Sequence, residues 1–257
     1  MNSATVRTLL LRGMIAGLAA GLLALVTAYL LGESKVDAAI GFEGGHAAEH
    51  GMAGHGEEVE LVSRSLQSTA GLATGILLFA IAMGGIAALA YCFALGRIGR
   101  FGARATALIV SLAALVTVYL VPFLKYPANP PAVGDPDTIG RRTVLYFLLL
   151  VLSVLLAVAA VIVGKSLAPR LGTWYATVVA GAGFVLAVGL AYAFLPAVNE
   201  VPEEFPAGLL WQFRLAALAI QLVLWTSFGL VFGELAQRVL EPAPATAKAA
   251  ARVATAP

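Results

Sequence analysis

The sequence predicts an all-helical integral membrane protein, a six-helix transmembrane bundle with both termini cytoplasmic, and three observations carry that expectation. Hydrophobic residues fill 60% of the 257 positions and charged residues 12%, about half the charged share of roughly 25% usual in soluble domains. Six apolar stretches, residues 9–31, 69–95, 105–121, 143–163, 173–195 and 209–232, come near or exceed the roughly 20 residues that a helix needs to cross hydrocarbon. These stretches are continuous and rich in Leu, Ala, Val and Gly, whereas a membrane β-barrel would alternate polarity over about ten residues at a time.

Sidedness follows from the cations. With six crossings both termini share a face. That face holds Arg7, Arg12, Arg97, Arg100, Arg104, Lys165, Arg170, Arg238, Lys248 and Arg252, ten of the sixteen cations, beside only Glu234 and Glu241. The excess of Lys and Arg makes it cytoplasmic. The remaining twelve carboxylates face outward, where they raise the local concentration of cations. Scattered over short turns, the basic residues form no stripe of the kind that binds nucleic acid.

The first stretch follows Arg7 and Arg12 and is longer than the apolar core of a secretory signal, about 7 to 15 residues, so it reads as a retained span. It carries Gly13, Gly17 and Gly21 at four-residue spacing, and Gly71 with Gly75 and Gly229 with Gly233 repeat the pattern. Small residues on one face let helices approach closely, which predicts a tight bundle or a homo-oligomer. Cys92 is the single cysteine, so no internal disulfide forms and no thiolate metal cage exists.

Residues 32–68 are the longest polar segment and hold every histidine. His46, His50 and His55, with Glu49, Glu57 and Glu58, combine imidazole and carboxylate, a donor set suited to divalent cobalt, nickel, zinc or copper. The spacing of a tight zinc site is absent. His46 and His50 would share a face in a helix, but the five glycines from Gly44 to Gly56 predict a mobile coil.

A basic turn, residues 96–104, leads to the third stretch, which carries Ser111, Thr117 and Tyr119 ahead of Pro122. Then comes a stiff insert around which the rest is arranged, residues 125–143. Pro127, Pro130 and Pro131 lie within five residues and Pro136 follows Asp135, so the segment is neither helix nor central strand. Lys125, Tyr126, Asn129, Asp135 and Asp137 mark it as a lid that fastens helices by ion pairs, or as a gate. Asp137 and Thr138 stand where a cap for the next helix is expected.

The fourth and fifth stretches read as scaffold, joined by a short turn at 164–170. Residues 196–208 are again acidic and proline-bearing, and lead to Arg214 near the outer edge of the hydrocarbon. A cation there snorkels or pairs with Glu203, Glu204 or Asp135. Gln221 lies two turns deeper on the same face and Trp225 one turn further, the most polar intramembrane stripe of the chain, and intramembrane polar residues mark pathways. No carboxylate or histidine lies near the middle of any span. Residues 1–240 form a single transmembrane domain, and 241–257, low in complexity, read as a disordered cytoplasmic tail.

The run Leu124-Lys125-Tyr126-Pro127-Ala128-Asn129-Pro130-Pro131 with Gly134-Asp135-Pro136, the His/Glu-rich loop, and Leu210-Trp211-Gln212-Phe213-Arg214-Leu215-Ala216 together resemble the CbtA family of cobalt transporter subunits. The resemblance implies a multi-pass protein of the cell membrane linked to cobalt supply for cobalamin synthesis, with Co2+ as the transported ion. It also implies a small single-span CbtB-like partner with a histidine-rich end. It marks Lys125, Tyr126, Pro127, Asn129, Pro130, Pro131, Gly134, Asp135, Pro136, Trp211, Phe213 and Arg214 as family-pattern positions. The other reading of the same residues is a non-transporting assembly protein whose loops bind another membrane protein. An enzyme is not expected, since no paired carboxylate, buried histidine or based serine stands in any span.

Overall fold

The computed structural model describes residues 2–49 and 63–241, and every regular element among them is helical. Helix α1 (Ser3–Thr27) runs through a π turn (Ala28–Gly32) into α2 (Glu33–Glu49). A single turn, α3 (Arg64–Leu66), leads through a second π turn (Gln67–Gly71) into α4 (Leu72–Ala94). Helix α5 (Ala103–Ala114) leads through a third (Leu115–Leu120) into α6 (Val121–Lys125). A 3-10 turn (Pro136–Thr138) opens α7 (Ile139–Phe194), and α8 (Ala207–Leu240) is the last helix.

Five of the described helical runs are long and apolar enough to cross a membrane: Ser3–Gly45, Arg64–Ala94, Ala103–Lys125, Pro136–Phe194 and Ala207–Leu240. The fourth has 59 residues and as one rod would reach roughly 90 Å, about three times the hydrocarbon thickness. It is not one rod. Gly172 stands at φ 76°, ψ 157°, a conformation open to glycine and costly for other residues. Three residues earlier, Pro169 removes a ladder bond. Leu149 and Val188, which a straight helix would hold roughly 58 Å apart, share one buried cluster. The arms 139–171 and 173–194 therefore fold back on each other. The turn expected at 164–170 is wound into helix, and the reversal falls at the residue that can take a left-handed φ.

The described residues divide into two compact units, one of residues 2–25, 71–112 and 222–241, the other of 26–49, 63–70 and 113–221. In the first unit α1 lies against α4 through small residues. A Cβ on Gly13 would fall 2.6 Å from the Gly84 carbonyl oxygen, and one on Gly17 would collide with the carbonyl of Ala80. Of the glycines expected on the second span, Gly75 does not serve here, with nothing within 4 Å of a built Cβ, and Ala80, Gly84 and Ala88 take the contact with α1. The pair on the last helix does serve, since Gly229 abuts Ser111 and Leu108, and Gly233 abuts Arg104 and Ala107. Arg12 donates to the Leu235 carbonyl at 2.6 Å, and Ser111 donates to the carbonyl of Trp225. Tyr91 meets Phe232 edge-on at 5.1 Å.

In the second unit the segment expected as a mobile coil is helical as far as Glu49. Ala39 is fully buried in a cluster with Val133 and Phe205, and Phe42 meets Phe205 edge-on at 5.1 Å. This burial offsets the roughly 1 kcal/mol that each interior glycine costs a helix. Arg64 bridges Glu33 at 2.5 Å and Asp37 at 2.9 Å, one turn apart on the helix that sequence reading leaves as loop. The third π turn has a cause in the sequence: Pro122 has no N–H to donate and its ring presses on the carbonyl four residues before, so the helix widens. Thr117, inside that turn, presents its carbonyl to the hydroxyl of Ser153.

Gly17→Val forces a side chain into the α4 backbone, with an expected loss of about 1–3 kcal/mol in thermal unfolding of the purified protein. Gly75→Ala, with open space around it, should leave the melting curve in place.

Candidate functional site

The proline insert begins where α6 stops at Lys125. Tyr126 leaves the helix at φ −127°, and the prolines that follow prevent a restart. The chain turns at Pro130–Val133, where the Val133 amide donates to the Pro130 carbonyl at 3.3 Å. Ala132 adopts φ 65°, uncommon for a residue with a Cβ. Gly134 stands at φ 131°, where a Cβ is strained, with the Arg142 guanidinium lying against it. The carboxylate of Asp135 then accepts from the Asp137 amide at 2.9 Å and caps the 3-10 turn.

Each expected insert residue can now be placed. The Lys125 ammonium donates to the Tyr192 carbonyl at 2.9 Å. That carbonyl has no helical partner, because the residue four positions on is Pro196. The Tyr126 hydroxyl donates to the Pro196 carbonyl at 2.9 Å, and the Tyr192 hydroxyl donates to the Val121 carbonyl at 2.6 Å. Arg214 does not pair with Glu203, Glu204 or Asp135. Its Nε donates to the Ala128 carbonyl at 3.3 Å and its Nη2 to Asn129 Oδ1 at 3.0 Å. The insert has no internal ladder, so its carbonyls stand free to receive a fork-shaped donor. Gln221 is half-buried on α8 and Asp137 is exposed.

One ion pair, Arg142 with Glu200, does fasten the insert, within a hub that sequence reading did not single out. Glu200 accepts from the Thr138 hydroxyl at 2.6 Å and the Asp135 amide at 2.9 Å, and its Oε2 lies 3.2 Å from Arg142 Nε. Arg142 also donates to the Asp135 carbonyl at 3.1 Å. The Thr138 hydroxyl foremost, then the Asp135 amide and the charges of Arg142 and Arg141, hold the Glu200 carboxyl below the usual glutamate range. The signal that was available is that Glu200 leads the acidic, proline-bearing 196–208 segment opposite an Arg-Arg pair. Nothing in the sequence says that the two segments meet.

A recess of about 460 Å3 opens beside this hub, lined by Phe42 and Glu43 of α2, by the insert from Pro130 to Gly134, and by Pro136, Ile139, Arg142, Pro202 and Glu204. The histidine cluster is placed in part. His46 and Glu49 fall in the last turn of α2, while His50, His55, Glu57 and Glu58 lie outside the described residues, as does nearly all of the expected tail. Among the described residues no three His, Cys, Asp or Glu side chains converge as metal ligands.

Two predictions follow from this geometry. Arg214→Lys keeps the charge but cannot span two acceptors, and should lose about 1–2 kcal/mol in thermal unfolding, with proteases gaining access to residues 126–135. Glu200, whose carboxyl is depressed in the folded state, stabilises the fold above the ordinary glutamate value of about 4.3, and that contribution is lost as pH falls through the lower folded value. Stability measured from pH 7 down to pH 3 should therefore drop in the native protein, and the Glu200→Gln variant should lack that part of the drop.

The family model described as "Probable cobalt transporter subunit (CbtA)" matches residues 6–237, nearly the whole chain. No curated protein and no solved structure matches it. With its apolar helices and its fastened proline insert lying inside the matched span, the chain belongs to the CbtA family of cobalt transporter subunits, a family of transporter parts and not of enzymes.

Proposed function

We propose that this chain is the membrane-embedded subunit of a divalent cobalt uptake system, crossing the cell membrane six times with both termini in the cytoplasm. The family match over residues 6–237 is the observation that carries the cobalt assignment. Sidedness draws support from which segments assemble. The expected outer segments meet in one unit, where Ala39, Val133 and Phe205 form a single buried cluster. Three of the four expected cytoplasmic segments fall in the other, where Arg104 pairs with Glu234 at 2.7 Å and Arg12 reaches the Leu235 carbonyl, while the 164–170 turn belongs to the unit of the outer segments. Two of the six crossings are the arms on either side of Gly172.

In this reading the acidic outer segments, with His46, His50, His55, Glu49, Glu57 and Glu58, gather Co2+ by weak and exchangeable contacts. The insert is a doorway braced by Lys125, Tyr126, Asn129 and Arg214, and held shut by Glu200. Gln221 lies beneath it on the helix that carries Arg214. A small single-span CbtB-like subunit completes the system in the bilayer.

Cobalt accumulation in cells with and without the chain, alone and with a small single-span partner, tests this directly. The chain with its partner should raise uptake, and His46→Ala/His50→Ala/His55→Ala should lower it at limiting cobalt. Equal uptake in every pairing would sink the transport reading, and reporter fusions placing residues 44–58 inside the cell would sink the sidedness.

A further inference from the structure

We infer that the seam where α1, α4 and α8 meet in the first unit holds one buried water molecule, with the indole N–H of Trp225 as its donor. The inference stands apart from the uptake reading, since it concerns the walls of the bundle and not its cargo. Three observations point to it.

The first is a donor without an acceptor. Trp225 is 4% exposed, and among the described residues its indole N–H has no hydrogen-bond partner. It stands near the middle of α8, away from the helix ends where bulk water could serve it. Buried polar side chains are in the large majority paired, with protein or with ordered water, because leaving one bare forfeits its hydration without return. The small residues of the seam say only that helices approach closely; the orphaned N–H says that something must accept from it.

The second is a space of matching size. Trp225 lines a void together with Gly17 of α1, with Ala80, Met83 and Gly84 of α4, and with Phe228. At about 10 Å3 it is at the size one water needs, roughly 10–15 Å3, and it excludes a hydrated ion, a lipid headgroup or an organic ligand. A bare cation is refused by chemistry, since the indole nitrogen only donates. The third is a set of acceptors on the facing helices. With no side chain at Gly17, none stands between α1 and the Ala80 carbonyl oxygen, and Gly13 leaves the Gly84 carbonyl oxygen open in the same way. A helical carbonyl keeps a second lone pair beyond its ladder bond. Water bridging Trp225 to that wall adds a hydrogen bond where packing is otherwise left to small residues. The Met83 thioether is the competing acceptor, a weak one.

The test is nuclear magnetic resonance of the full chain, labelled with nitrogen-15 at its 3 tryptophans, in nanodiscs of deuterated lipid. Trp225→Phe assigns the signal by removing it. If that variant does not fold, Trp174→Phe and Trp211→Phe, both at exposed positions, assign it by elimination. The Trp225 indole proton should resonate at a hydrogen-bonded position and show a cross-peak to water. Met83→Leu, which conserves volume, should leave both in place. A resonance at the free-indole position overturns the inference, and so does a bonded position without the water cross-peak. Loss of the bonded position in Met83→Leu also overturns it, because the sulfur is then the acceptor.

Discussion

A buried carbonyl released from a helical ladder needs another donor, and this chain releases several. Pro196 cannot donate to Tyr192, Pro122 cannot close the turn before it, and the insert from Tyr126 to Asp135 has no ladder at all. Side chains answer in place of the backbone: Lys125 at Tyr192, Tyr126 at Pro196, Arg214 at Ala128 and Ser153 at Thr117. Lys125, Tyr126, Ser153 and Arg214, polar residues that stand out in so apolar a chain, are thus spent on carbonyls that the backbone leaves without an amide partner. That use also explains why Lys125 and Arg214 are held by neutral oxygens without a carboxylate partner: a carbonyl dipole satisfies a cation without placing a second charge at the membrane edge.

Where the chain is unbroken, shape replaces hydrogen bonding. Lipid tails are as apolar as leucine, so helices gain little by hiding leucine from them, and close backbone approach becomes the main source of attraction. Gly13 and Gly17 against Ala80 and Gly84, and Gly229 and Gly233 against α5, put small residues where helices touch. Many of the large ones, Phe93, Trp174 and Phe194 among them, point outward, while Tyr91 and Phe232 fill the space between helices. Scaffold and insert thus rest on different physics, packing in one and polar satisfaction in the other.

Glu200 joins the C-terminal half of the insert to a segment some 60 residues later in the chain. A hydroxyl and a backbone amide donate to it, and a guanidinium lies beside it as an ion pair.

Composition and the run lengths of apolar residues determined the helical membrane class, because a bilayer core of fixed thickness leaves helices few alternatives. The breaks at Pro122 and in the insert were equally legible, since proline's missing N–H acts locally. The helix through Glu49 was not, because Gly41, Gly44 and Gly45 argue against it and only burial of Ala39 and Phe42 against Val133 and Phe205 argues for it. The partner of Arg214, the hub at Glu200 and the helices that meet at each glycine face were likewise decided in three dimensions. Each depends on residues that neighbour one another only after the chain has folded, and a pattern read along the chain records what a residue can offer but not which distant group will accept it.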